Sequence, residues 1–276
     1  MKLATYTHKG SLPVVGIVEG DSVRRLLGFA SMCEAIAAGV PALAAANKSD
    51  AVPLSSLNLM APIPRPPKLI CVGLNYRDHA IESGMAIPTI PVIFNKCSNS
   101  VIAPGEPVVL PKNSEKPDYE AELAFVIGKS GRHISKERAM EHVFGYTIVN
   151  DVSARDFQLA TSQWLMGKTF DTFCPMGPWI VSADEIADPH NLRIGLRIDG
   201  ETVQDSSTKE LIFGIPELVA HLSSVMTLES GDVVSTGTPP GVGLGRKPPR
   251  WLKPGETMTV FIEGIGELTN PCVAES

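Results

Sequence analysis

Three acids, one lysine and one histidine–glutamate pair have the types and spacing to do chemistry in this chain. Glu120 and Glu122 alternate with apolar residues in E-A-E-L-A-F-V-I, residues 120–127. The period of two in a strand puts Glu120, Glu122, Ala124 and Val126 on one face and Ala121, Leu123, Phe125 and Ile127 on the other. Strand positions two apart are roughly 6.5–7 Å from each other, so the two carboxylates can converge on one point. At about 4 Å they repel by about 4 kcal/mol at an effective dielectric near 20, and a proton or a cation must relieve them. A bare E-x-E is more often a solvated edge strand, so residues further along the chain decide between the two.

Asp151 comes after an apolar strand segment at 146–149 and is placed either to supply a third carboxylate or to make an Asx turn. Three carboxylates without paired His or Cys suit magnesium, manganese or calcium, not zinc. Lys168 sits between Trp164 and Phe170. Its stem is expected to be partly buried, with the acidic cluster as partner, although a lone lysine is more often a surface residue. His79 and Glu82 fall at i and i+3 on a helical turn, where a carboxylate orients an imidazole as a proton carrier. The same pair also fits a solvated helix end. Gly73, Gly84 and Pro88 around it suit a mobile lid.

Other chemistries are excluded. Gly128-Lys129-Ser130 lacks the P-loop glycine, since position 123 is Leu. Gly241, Gly243 and Gly245 have the wrong spacing for a dinucleotide fingerprint, with Arg246 where the last glycine belongs. No G-x-S-x-G elbow occurs. His8, His133, His142, His190 and His221 show no ligand spacing and read as structural.

The elements that must position these residues are mostly strands. The 276 residues, 43% hydrophobic and 20% charged, are enough to bury a full core. A net charge of −6 gives no basic footprint for nucleic acid, and no apolar run reaches the roughly 18–20 residues of a membrane span. Five scattered cysteines without a C-x-x-C pair point to reduced thiols and a cytoplasmic location. The fold class is α+β, mainly β. A small N-terminal β-rich domain is expected at 1–60, with strands at 2–7 and 14–18 and a helix at 32–38. A proline-rich linker at 61–67 leads to a catalytic domain at 68–276, opened by a strand at 68–73. Asp199-Gly200 predicts a two-residue hairpin turn between 192–198 and 201–203. Ser135 is the expected N-cap of a helix at 136–143, and Pro216 the first residue of one continuing over 217–225. The Gly- and Pro-rich stretch 236–254 predicts a long ordered loop, a kind that is more often functional than idle.

Four motifs in this order, D-Y-E-A-E-L, N-D-V-S-A-R-D, G-K-T-F-D-T-F-C-P-M-G-P and T-G-T-P-P-G-V-G, resemble the fumarylacetoacetate hydrolase superfamily over about 68–273. N-Y-R-D-H at 75–79 adds a further match. The resemblance implies a mixed β-roll fold, a homodimer and a divalent metal, Mg2+ or Mn2+ with Ca2+ as a third choice. It implies Glu120, Glu122 and Asp151 as ligands, Lys168 beside the metal, Gln158 and Thr238 as substrate contacts, and His79 with Glu82 as the lid dyad. Asn75 stands where the namesake enzyme has a fourth acid, which implies the smaller-substrate branch. Residues 163–168 and 246–249 look closest to the oxaloacetate tautomerase kind of domain-containing protein. The implied substrate is a small 2-oxo or 1,3-dioxo carboxylic acid that reacts through a metal-bound enolate. Hydrolytic carbon–carbon cleavage of an acylpyruvate is the leading expectation. Keto–enol tautomerisation or decarboxylation of oxaloacetate is the alternative. A non-catalytic, metal-stabilised scaffold is disfavoured, because ligands, lysine and dyad are all present.

Overall fold

In the computed structural model, which describes residues 1–276, the strand Ala121–Ile127 is buried along its whole length. It lies between Val143–Asn150 and Val233–Ser235, antiparallel to both. An internal strand has no solvated edge, so the bland reading of Glu120 and Glu122 does not apply. The two predicted faces separate cleanly. Ala121, Leu123, Phe125 and Ile127 enter the larger apolar core, and Ala124 and Val126 enter a second core with Met32 and Ile36 of the N-terminal helix. Continuous apolar character is what burial on both faces demands.

Around this strand runs a twelve-stranded sheet. Its main path is Lys48–Pro53, Ser22–Leu26, Val14–Glu19, Lys2–Thr7, Cys174–Ser182, Val143–Asn150, Ala121–Ile127, Val233–Ser235, Leu69–Gly73 and Val92–Asn95. A five-stranded sheet packs against it, in the order Glu201–Ser207, Arg193–Ile198, Thr257–Ile262, Gly266–Ala274 and Val108–Leu110. Leu123 and Phe125 of the first sheet share a core with Ile194, Leu196 and Val260 of the second. The hairpin turn is where the sequence places it, with Asp199 at φ 49 and Gly200 at φ 86. Between Val233–Ser235 and Thr257–Ile262 the chain makes one short 3-10 turn, Gly243–Gly245, and is otherwise irregular.

The first sixty residues extend the main sheet: Lys2–Thr7 pairs with Cys174–Ser182. Thr5 Oγ1 donates to the Pro62 carbonyl at 2.7 Å, and Ala61 and Ile63 are buried. Several local expectations are corrected. The N-terminal helix runs Met32–Ala45, past a break at Gly39 (φ 79) and through Pro41. The helix expected at 136–143 is a 3-10 helix, Lys136–His142, followed at once by the strand Val143–Asn150, and the Ser135 side chain makes no cap bond. The later helix is Ile215–Val225 and begins earlier than expected, because fully buried Ile215 needs the core and Pro216 tolerates any first-turn position. Ser22–Leu26 and Lys48–Pro53 were not anticipated, since neither has a two-residue apolar alternation. No helix is long and apolar enough to cross a membrane.

Candidate metal centre and its cavity

Strand register assembles the acids. Ala121 pairs with Asn150, and the Asp151 N–H donates to the Glu120 carbonyl at 2.9 Å, so Glu120 and Asp151 face each other across the ladder. Glu122 projects from the same face two residues on. One oxygen from each of the three carboxylates lies within 4.8 Å of the others, and all three residues are buried. On the opposite side the strand Val233–Ser235 and the loop after it close the site. Ser235 Oγ donates to Glu122 Oε2 at 2.6 Å and the Gly237 N–H to the same oxygen at 2.9 Å.

Three buried cations hold the acids. Lys168 Nζ donates at 2.7 Å to both Glu120 Oε2 and Asp151 Oδ2. Lys96 Nζ donates to Asp151 Oδ1 at 2.6 Å and to the Val152 carbonyl at 3.0 Å. Arg155 reaches Glu120 Oε1 at 2.7 Å through Nη1 and Asp118 Oδ2 at 2.8 Å through Nε. Four buried carboxylates thus face three cations, and Glu122 is the one that touches none of them. Burial works against ionisation of Glu120, but Lys168 and Arg155 overcome it and lower its carboxyl to about 2. Burial and the charges of Asp151 and Glu120 push Glu122 the other way, well above the usual carboxylate range. Burial opposes the charge on Lys168, yet Asp151 and Glu120 raise its pKa and keep it an ammonium. An all-oxygen donor set with one unmatched negative charge fits a hard divalent cation.

A cavity of about 830 Å³ opens above the cluster. Glu120, Glu122, Lys168, Gln158, Thr238, His79 and Glu82 all line it, so seven of the eight expected site residues meet there. Asp151 is fully buried and outside the lining, held between Lys96 and Lys168. Gln158 Oε1 accepts from Arg155 Nη1 at 2.9 Å, and Thr238 Oγ1 accepts from Gln204 Nε2 at 2.9 Å. Asn75 is no ligand. Its Nδ2 donates to the Thr236 carbonyl at 2.8 Å and its Oδ1 accepts from the Phe213 N–H at 2.8 Å, pinning the chain beneath the loop.

His79 and Glu82 occupy the helix Arg77–Glu82, with Nδ1 at 3.1 Å from Oε2. The Gly241 N–H donates to Glu82 Oε1 at 2.9 Å. Burial disfavours the Glu82 carboxylate, but the His79 bond and the Gly241 N–H outweigh it and lower its pKa. An ionised carboxylate only accepts, so Nδ1 carries a proton, and in the neutral ring the lone pair is then on Nε2. The expected lid is tied down here at two further points. Ser206 Oγ donates to Asp78 Oδ2 at 2.5 Å, and Arg77 Nη1 donates to the Leu211 carbonyl at 2.8 Å.

The walls depend on two close approaches. A Cβ on Gly73 would stand 2.3 Å from the Trp164 ring, which packs edge-on against Phe94 at 5.4 Å. A Cβ on Gly243 would stand 1.8 Å from the Arg250 carbonyl and 2.7 Å from Asp118 Oδ1. Asp118 accepts from the Gly243 N–H at 2.7 Å and the Leu244 N–H at 2.9 Å, so it fixes both this loop and Arg155. Lys96, Arg155, Asp118 and Gln204 had no role assigned from sequence. Arg155 and Asp118 stood inside motifs already singled out, whereas Lys96 comes after a four-residue strand with no pattern around it.

Residues 68–273 match the family described as fumarylacetoacetate (FAA) hydrolase C-terminal. A mitochondrial oxaloacetate tautomerase of Xenopus laevis is 51% identical over 221 residues, which cover 79% of this chain and 69% of that protein. A human mitochondrial oxaloacetate tautomerase is 49% identical over 224 residues, 80% of this chain and 71% of that one. The solved structure of a fumarylacetoacetate hydrolase from psychrophilic Exiguobacterium antarcticum covers 100% of both chains, with a TM-score of 0.87 and 38% identity.

Proposed function

The chain belongs to the fumarylacetoacetate hydrolase family, and on that premise we propose that it is a divalent-metal-dependent keto–enol tautomerase of oxaloacetate. The observation that carries this reading is the meeting, at one cavity, of a cluster of three buried carboxylates, two of them in its lining and Asp151 behind them, with a charged lysine and an oriented histidine. Glu120, Glu122 and Asp151 would hold magnesium or manganese, which when bound supplies Lewis-acid polarisation of the 2-oxo group.

The protein's own groups do the rest. Arg155 Nη2 is buried without a partner, and a guanidinium N–H in that state offers a strong bond to the substrate carboxylate. Gln158 and Thr238 line the same end and orient the oxo acid. Lys168 places a full positive charge where negative charge grows on the C2 oxygen as the C3 proton leaves. The lone pair on His79 Nε2 takes that proton from C3 and delivers it to the oxygen on C2, or the reverse, with Glu82 stabilising the imidazolium in between. The net change moves one proton between C3 and the oxygen on C2, with no carbon–carbon bond broken and no water consumed.

Hydrolysis of an acylpyruvate, first by sequence, would use the same residues, with His79 activating water. The tautomerase reading ranks above it because the relatives at 51% and 49% identity are named for that reaction. Those relatives are also named as mitochondrial, and the five unpaired cysteines of this chain suit any reducing compartment. The proposal includes pairing of two copies, supported by exposed Met85, Ile87, Ile90 and Val92 leading into the terminal strand Val92–Asn95.

The test is to track enol-oxaloacetate by ultraviolet absorbance with magnesium or manganese present, alongside carbon dioxide release and acid release from acetylpyruvate. Enol loss well above the buffer rate, without matching carbon dioxide, is expected. Enol decay at the buffer rate while acetylpyruvate is cleaved would replace the tautomerase with the hydrolase.

A further inference from the structure

Arg246 stands at the outer end of the same cavity, next to the dyad. It is half-buried and makes no ion pair. Nη2 donates to the Val203 carbonyl at 3.0 Å, and Nε is buried with no partner. Glu82, the acid beside it, is already engaged by His79 and the Gly241 N–H. A guanidinium that has lost much of its water and has no carboxylate is an anion site awaiting an anion.

Its backbone is set in advance. The N–H groups of Gly243 and Leu244 are held by Asp118, and the Arg250 N–H closes on the Gly243 carbonyl at 3.0 Å. At Gly245 an added Cβ would lie 2.8 Å from the Glu82 carboxyl carbon, so this backbone rests directly on the dyad. A pre-positioned arginine loses little freedom on binding, and a planar fork suits a carboxylate. Asp118 also holds Arg155, so one side chain fixes the frame for the two guanidinium groups of the cavity that each keep one buried nitrogen without a partner, Nη2 of Arg155 and Nε of Arg246.

We propose that Arg246 is a specificity-determining residue that binds the second carboxylate of a dicarboxylic 2-oxo acid. Arg155 takes the carboxylate next to the oxo group, and Arg246, with exposed Lys247 at the mouth, takes the far one. The assignment rests on the tautomerase reading for its substrate class, but it concerns binding and is tested by binding.

Calorimetric titration of the magnesium-loaded full chain compares oxaloacetate with 2-oxobutyrate, which has a methyl group where oxaloacetate carries its second carboxylate. The wild type is expected to bind oxaloacetate at least tenfold tighter. Arg246→Met should bring the two ligands within about twofold while leaving 2-oxobutyrate unchanged, and Arg246→Lys should keep part of the preference. In turnover the Met variant should raise KM for oxaloacetate with kcat within about threefold. Unchanged oxaloacetate affinity in Arg246→Met, or equal weakening of both ligands, overturns the assignment. A tenfold preference that depends on Arg246 in a protein without tautomerase activity would sink the proposed reaction and leave this assignment standing.

Discussion

At and behind the inner end of the cavity Glu120 and Asp151 stand at the ends of paired strands and Lys168 ends the short helix Leu165–Lys168; at the outer end His79, Glu82 and Arg246 stand on a six-residue helix and an irregular loop. Inner groups are almost wholly buried, and each but Glu122 has an opposite charge within 2.7 Å. Outer groups are partly exposed and are held by one another and by the main chain: Glu82 by His79 and the Gly241 N–H, Arg246 by the Val203 carbonyl. The difference separates two requirements. Charge can be held this tightly only where packed elements fix both partners, here strand ends for the acids and short helices for Arg155 and Lys168, because a buried charge that loses its partner is severely destabilising. Substrate choice needs side chains whose replacement does not endanger the fold, and loops provide them.

Breaking the inner end should have the largest effect. Asp151→Ala leaves both Lys96 and Lys168 without their shared acid, and should cost about 3–5 kcal/mol of stability as well as metal binding and turnover. Thermal melting and a metal titration on the same sample read both losses. Retained turnover in metal-free Asp151→Ala protein would mean that the cluster is not the centre of the chemistry.

At the outer end His79→Ala should separate activity from structure. Turnover should fall by about 10²–10⁴, while the melting temperature and the metal affinity stay close to wild type. A melting temperature lowered as far as in Asp151→Ala would erase the contrast between the two ends.

The smallest expected effect is graded and comes from Glu122. Its carboxyl is raised by burial and by Asp151 and Glu120, so the metal-free fold holds a proton there that the unfolded chain has already lost. Through this group the metal-free protein is most stable below the ordinary carboxylate range and loses stability as pH rises through the raised value. Metal affinity runs the opposite way, climbing about tenfold per pH unit across that window as the competing proton leaves. Metal titrations at stepped pH measure the slope, and Glu122→Gln should flatten it; a pH-independent affinity in the wild type would contradict the proton's place.

How much was legible divides along the same line. Alternation over residues 120–127 gave both faces of the central strand, and its continuous burial agrees residue by residue. Asp151 was readable because an apolar strand ended just before it. Lys96 was not, because it and Asp151 are 55 residues apart and only strand order brings them together. Gln204 was hidden by its place in an ordinary hairpin. Its amide accepts from the Ala121 N–H at 2.9 Å and donates to Thr238 and the Pro239 carbonyl, which ties the second sheet to the site. The edge strand Lys48–Pro53 left no pattern because it is largely exposed.

Asp118 grips the long loop by the N–H groups of residues 243 and 244. Amide hydrogens belong to every residue except proline, so the grip makes no demand on most side chains of the loop. Apart from the close-packed glycines at 237, 241, 243 and 245, the segment behaves as an interchangeable insert in a standard socket. Descendants of this scaffold can therefore acquire new substrates by rewriting the insert while the socket, with the proton chemistry behind it, is inherited intact.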